Sequence, residues 1–304
     1  MGTGYAVIFS GQGMQHAAML PWLAEHDLVE NMQRDLGISN WRMQLEDETW
    51  ASSNTSAQVL LTGLHLAAWA QLSEALPPPA AVAGYSVGEL ASFAAAGVFD
   101  ASFALGLAGT RARAMDQCAE RAPGSLLAVS GITSAQVETL CAESGCTIAI
   151  ENDSHAFVLG GGITELGSAE LKAQARGAKC TRLRVQVSSH TPSMHEAADA
   201  FALALNAQPL RTPQVPLFSN MGERITNSPQ AARALALQIE QTVRWSTCMD
   251  HIHARRIGCV LEIGPGAALA RMWNQRFTDV PARSIDEFRS LSAIVNWVLR
   301  NSGD

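Results

Sequence analysis

Lysine is almost missing: the chain holds two, Lys172 and Lys179, against 19 arginines, and basic residues nowhere gather into a block. The net charge is −7. Contacts to nucleic acid need a basic patch or stripe, so no nucleic-acid partner is expected. The six cysteines contain no C-x-x-C pair and no metal-like spacing. They fit free thiols in a reducing cytosol rather than a disulfide framework, and no metal site is expected. No uninterrupted apolar run approaches the ~18 residues of a membrane helix. The chain opens on the strand-like "YAVIFS" without a charged, apolar leader. Internal repeats and low-complexity tracts are absent as well. These absences leave a soluble cytoplasmic protein as the expectation. Against them stand 47% hydrophobic and 16% charged residues, enough for one large domain or one domain carrying an insertion.

Strand and helix signals alternate along the first third. Tyr5–Ser10 reads as a buried strand, followed by the loop "GQGMQ" and an expected helix. Residues 54–76 are a long apolar helix pattern closed by Pro77-Pro78-Pro79. "AAVAG" is a strand, and "GELASFAAAGVF" a helix. This rhythm predicts a parallel α/β sheet. Between about Gly124 and Ser189 the order changes to strand "LLAVSGI", helix "SAQVETLCAES", strands "CTIAIEN" and "AFVLGG", helix "ELGSAELKAQARG" and strand "CTRLRVQV". That β-α-β-β-α-β order is the ferredoxin-like pattern, inserted in a larger domain. The helix "MHEAADAFALAL" and strand "CVLEI", before Gly264-Pro265-Gly266, return to the larger domain.

Between "AAVAG" and its helix stands "GYSVG", a serine framed by glycines. G-x-S-x-G suits a sharp strand-to-helix turn that exposes a nucleophilic hydroxyl near backbone N–H groups. A plain turn of small residues reads the same way. A serine hydroxyl needs a base, and His190 in "VSSHTPSMH" stands where the inserted segment hands back to the larger domain, a junction that lines an interdomain cleft. An ordinary interdomain histidine would also fit there. His195, five residues on, reads as structural. "FSGQGMQ" lacks the third glycine of a dinucleotide loop. It reads better as a loop whose N–H groups face an oxyanion. Arg111, on an apolar helix, needs an anionic partner from the protein or a substrate. Arg113 points elsewhere, into solvent.

Taken in order, "FSGQGMQ", "GYSVGE", the Arg111 helix, "SSH" ending at His190, "QIEQTVRW" and "EIGPG" resemble the malonyl-CoA:acyl carrier protein transacylases over almost the full chain. The resemblance implies an α/β-hydrolase-like larger domain with a parallel sheet (residues 1–123 and 190–304) and a ferredoxin-like insertion (124–189). It implies Ser86 as nucleophile, His190 as general base and acid, and the backbone N–H groups of Gln12 and Val87 as oxyanion hole. Arg111 would clamp the malonyl carboxylate, and the backbone carbonyl of Gln238 would orient His190. Asn152 stands where the family has an asparagine near the site. The chain departs from the family at Tyr85, where a histidine is usual, and at Thr242, where a proline is usual. "GYSVGE", "FSGQGMQHAAML" and "SSHTPSMH" look most like the epsilon subunits of bacterial malonate decarboxylases. These move malonyl from malonyl-CoA onto the prosthetic-group thiol of the decarboxylase's acyl carrier subunit. The alternative is the transacylase of fatty acid synthesis. A serine esterase or thioesterase is a third reading, weakened by the lack of an acidic triad member, and an inactive docking subunit a fourth. No cofactor is implied. An acidic carrier would need a local arginine patch, for which Arg182, Arg184, Arg271 and Arg276 are candidates.

Overall fold

The computed structural model describes residues 2–303. Its strands are β1 (Tyr5–Phe9), β2 (Ala81–Gly84), β3 (Gly124–Ser130), β4 (Thr147–Asp153), β5 (Ala156–Gly162), β6 (Lys179–Arg182), β7 (Leu217–Phe218), β8 (Arg224–Ile225), β9 (Cys259–Ile263) and β10 (Ala282–Ser284). The larger sheet runs β10-β9-β1-β2-β7-β8, parallel except for the hairpin partner β8. β1 is apolar or aromatic at every position and buried throughout, as a strand covered on both faces must be. In β9 the lone charge, Glu262, is buried. It accepts from the amides of Leu269 (3.2 Å) and Ala270 (2.8 Å) at the start of the helix Ala268–Arg276. A carboxylate there satisfies orphan amides and complements the helix dipole.

The three glycine motifs lie at the carboxyl ends of the adjacent strands β9, β1 and β2. In a parallel sheet this is where ligand crevices form. The helix Asn54–Ser73, buried on nearly every side, backs that sheet. Such burial explains an apolar pattern without a polar face.

The second sheet, β4-β5-β3-β6, is antiparallel throughout. With the helices Ser134–Ser144 and Ile163–Ala175 it gives the ferredoxin-like order. In β3 and β5 the side chains alternate, whereas β4 is irregular at Ile148–Ile150 and at Glu151–Asp153. Leu127, Val129, Phe157 and Leu159 enter a small core of their own, whereas Leu126, Ala128 and Val158 face the larger domain and line a cavity there. The sheet is therefore apolar on both faces.

Two expectations need correction. No helix follows the glycine loop directly: helix begins only at Asp27. The intervening chain is held open by Arg42, which donates to the carbonyls of Ala17, Met19 and Leu20, and by Asp286, which accepts from the Leu20 amide at 2.8 Å. The last strand of the insertion stops at Arg182, after which Leu183 makes one more bond to Leu126 and the chain leaves the ladder. Strands β7, β8 and β10, of two or three residues each, are too short to show periodicity.

Gly88 shows how tightly β1 and the following turn are packed. A Cβ there would overlap the Phe9 carbonyl oxygen and lie 2.7 Å from that of Ser10. Alanine ordinarily favours a helix by up to ~1 kcal/mol over glycine. Gly88→Ala is nevertheless expected to destabilise by roughly 1–3 kcal/mol through overpacking, read as a lower melting temperature by circular dichroism. An unchanged or higher value would mean that β1 yields.

Candidate active site

Ser86 stands two residues past the end of β2 and adopts φ 54°, the left-handed region that a non-glycine residue rarely occupies. Its frame requires small residues, since a Cβ on Gly84 would overlap the backbone of Gly88 and Glu89. Asn220 holds the turn. Its Oδ1 accepts from the Ser86 amide at 2.7 Å, its Nδ2 donates to the Gly84 carbonyl, and its own amide donates to Glu89 Oε1 at 2.6 Å. Asn220 and Glu89 are fully buried. Burial pushes the Glu89 carboxyl up to about 8, opposed by the Asn220 hydrogen bond and the Arg111 charge. Neither residue was singled out from sequence.

His190 comes to this turn from the far end of the insertion, also left-handed (φ 61°), with its amide bonded to the Ile239 carbonyl at 2.8 Å. Its Nδ1 donates to the backbone carbonyl of Gln238. A carbonyl only accepts, so Nδ1 carries the proton of the neutral ring. Nε2 is then bare and accepts from Ser86 Oγ at 2.8 Å. Burial holds the imidazole down to about 3, and the Arg111 cation adds to this. The Gln238 hydrogen bond pulls the other way.

Val87 precedes the helix Gly88–Ala95, which has no side-chain cap. The Gln12 and Val87 amides have no acceptor among the described residues. Both residues flank the Ser86 turn, Gln12 beyond β1 and Val87 beyond β2. The Val87 amide adds the positive end of a helix dipole.

Arg111 is 1% exposed and lines the same cavity. Its Nη1 donates to Gln58 Oε1 at 2.6 Å and its Nη2 to Gln238 Oε1 at 3.3 Å, while Nε has no partner. No carboxylate lies within 4.0 Å of it among the described residues. Gln58 is oriented in turn: its Nε2 donates to Asn54 Oδ1 at 2.7 Å, and Asn54 donates to Asp116 at 2.8 Å. The Gln238 side chain is thus engaged as well as its carbonyl, which extends the role read from sequence. Asn54 and Gln58 were missed, although two amides four apart inside an apolar helix are a legible signal.

The cavity, about 280 Å³, has a floor of Ser10, Gln12, Ser86, Arg111 and His190 and a roof from the smaller sheet. Asn152 lines it and accepts from the Tyr85 hydroxyl at 2.9 Å. The Tyr85 ring meets Trp245 edge-on at 5.3 Å. Tyr85 thus bridges the two sheets. Thr242 does the same, donating to the Ile148 carbonyl at 2.7 Å. His195 lies outside, exposed and paired with Glu240 and Asp199, and Arg113 is exposed.

The acyl transferase domain matches residues 6–294. The chain belongs to this family. Among curated members, the malonyl CoA-acyl carrier protein transacylase of Salmonella typhimurium is 28% identical, covering 96% of this chain and 98% of the relative. That of Mycobacterium bovis is 29% identical over 96% and 99%. The malonyl-CoA:acyl carrier protein transacylase structure from Xanthomonas oryzae superposes with a TM-score of 0.89 at 26% identity, covering 97% and 98%. A malonyl-transacylase solved with its type II PKS acyl-carrier protein gives 0.89 at 26%, covering 97% and 99%. No helix among the described residues of this acyl transferase domain is long and apolar enough to cross a membrane.

The depressed basicity of His190 has a measurable sign. The neutral, proton-accepting ring exists above its pKa and is lost as pH falls through it. Labelling of Ser86 by a serine-directed fluorophosphonate should therefore stay level as pH falls through ~6.5, where an ordinary imidazole half-protonates. The acid limb should lie lower. Arg111→Gln should move that limb upward, because it removes one of the two depressing causes. A limb centred on the ordinary value in the unaltered chain would contradict this.

Proposed function

We propose that the protein moves a malonyl group from malonyl-CoA, through an ester on Ser86, to the prosthetic-group thiol of an acyl carrier protein. The observation that carries this reading is Arg111: a buried guanidinium with no carboxylate partner, aimed into the cavity of a serine–histidine pair. Glu89 acts on Arg111 only from beyond ion-pair distance, and a buried cation with no carboxylate in contact is costly unless a ligand supplies one. A 3-carboxyacyl thioester brings a carboxylate at one end and a reactive carbonyl at the other. The names of the curated relatives support the same choice.

The geometry supports the following chemistry. His190 Nε2 takes the Ser86 proton as Oγ attacks the thioester carbonyl, and the amides of Gln12 and Val87 hold the oxyanion. The intermediate collapses with loss of the CoA thiolate, which takes the proton from His190. A carrier thiol then loses its proton to the same nitrogen, attacks the seryl ester, and Ser86 leaves with the proton restored. Nδ1 of His190 faces a carbonyl where a hydrolytic triad would place a carboxylate. This weighs against the esterase reading.

The carrier is the finer question. All the relatives described above are named for an acyl carrier protein, so that acceptor is better supported than the malonate decarboxylase carrier subunit suggested by "GYSVGE". Of the four candidate docking arginines, Arg182 is tied to Glu170, and Arg276 to Asp250 and Asp153. Arg184 and Arg271 are exposed and form no ion pair among the described residues, which makes them the better pair for an acidic carrier.

Intact-mass measurement after mixing with malonyl-CoA should show one malonyl adduct, absent in Ser86→Ala. Discharge by an acyl carrier protein and by a decarboxylase carrier subunit, assayed side by side, ranks the acceptors. An adduct that only water removes would return the reading to a hydrolase. Arg111→Ala should lower kcat/KM for malonyl-CoA by roughly ten- to a hundredfold, the worth of a charge-assisted fork. It should spare acetyl-CoA, and Arg111→Lys should recover part. Equal losses for both thioesters would remove Arg111 from the substrate site.

A further inference from the structure

Ser10 is the last residue before the Gly11-Gln12-Gly13 loop and lines the cavity, yet the reaction above gives it no task. Its hydroxyl lies 3.3 Å from Nε2 of His65. His65 belongs to the helix Asn54–Ser73, is 1% exposed, and packs on Phe9 with ring centroids 5.8 Å apart. Burial holds its imidazole down to about 3, so the ring is neutral and carries one N–H. Its Nδ1 has no partner. An unpaired buried N–H is the rarer and costlier orphan, which places the proton on Nε2 and makes it the donor to Ser10 Oγ. Gly264 leaves room for this contact: a Cβ there would overlap Ser10 Oγ and lie 2.7 Å from His65 Nε2.

We propose that Ser10 and His65 form a positioning pair that fixes the Gln12 amide where the oxyanion develops; this rests on the acyl-transfer reading above. The Ser10 amide is bonded to the Ile263 carbonyl at 3.0 Å. One bond does not by itself set the direction of the peptides that follow, and the glycines on either side of Gln12 offer no stiffness of their own. The hydroxyl supplies a second fixed point on the same residue, so the direction of the following peptide is set. At the far end of the loop, the Gly13 amide donates to Gln15 Oε1 at 2.7 Å.

The test measures the rate of Ser86 acylation by malonyl-CoA and by acetyl-CoA, and of labelling by a fluorophosphonate, in Ser10→Ala, His65→Phe and His65→Gln. Ser10→Ala removes one oxygen and keeps the packing, which covers the case of a His65 variant that fails to fold. A misplaced oxyanion donor should cost about 10- to 100-fold in rate, equally for both thioesters, with half-saturation unchanged within about twofold. His65→Gln, which keeps an N–H donor, should recover most of it. The pair is overturned by a Ser10→Ala chain that acylates at the unaltered rate, by a loss confined to half-saturation or to malonyl, or by a Gln variant no better than Phe. If neither thioester acylates the unaltered chain while the fluorophosphonate labels Ser86, the malonyl reading fails separately. The labelling rates of the variants then still decide the pair.

Discussion

The left-handed backbone at Ser86 is the constraint around which the molecule is arranged. Among the described residues, four non-glycine positions have positive φ, and two of them are Ser86 and His190. Each such conformation costs on the order of 1–3 kcal/mol and persists only where its surroundings over-determine it. The surroundings here are visible: glycines at 84 and 88 that let β1, β2 and the next helix close on the turn, and the buried Asn220–Glu89 pair that ties its amide and carbonyl. With the turn fixed, the Val87 amide and the helix dipole are fixed too.

The smaller sheet completes what the larger one cannot enclose. An antiparallel sheet commonly has one dry face, but this one has two, because its second apolar face is the roof of the cavity. The two layers are joined by polar contacts as well as packing. Tyr85 reaches Asn152, Thr242 reaches Ile148, and Arg276 joins Asp153 to Asp250. Two of these contacts use Tyr85 and Thr242, the positions at which the sequence departs from the pattern it otherwise resembles.

Legibility in the sequence followed the range of each interaction. The glycine motifs could be read because a tight turn is a local matter: Ser86 and its frame span five residues. The ferredoxin-like order was readable because each helix and strand is long enough to show its period. His190 and the Gln238 carbonyl are read from the ordered motifs, and the structure brings the ring into contact with Ser86 on one side and that carbonyl on the other. The brace at Asn220 was invisible, since nothing in "LFSNMG" says that its amide folds back on a turn more than a hundred residues earlier. The end of β6 was overread because "RLRVQV" alternates like a strand, whereas past Leu183 the Val185 carbonyl takes the Ser125 hydroxyl in place of a ladder amide. A helix was expected after the glycine loop because local pattern cannot register Arg42 gathering three carbonyls from that segment.

The carbonyl beside His190 has a consequence for timing. A carboxylate at that place would stabilise the imidazolium and strengthen the base; burial, with Arg111 nearby, weakens it, and an uncharged dipole offsets this only in part. A weak base discriminates between acceptors by their acidity. A thiol, at pKa about 8.5, gives up its proton readily, and water, at 15.7, does not. On the acyl-transfer reading, the seryl ester is then a storage form, slow to react with water and held until a thiol arrives.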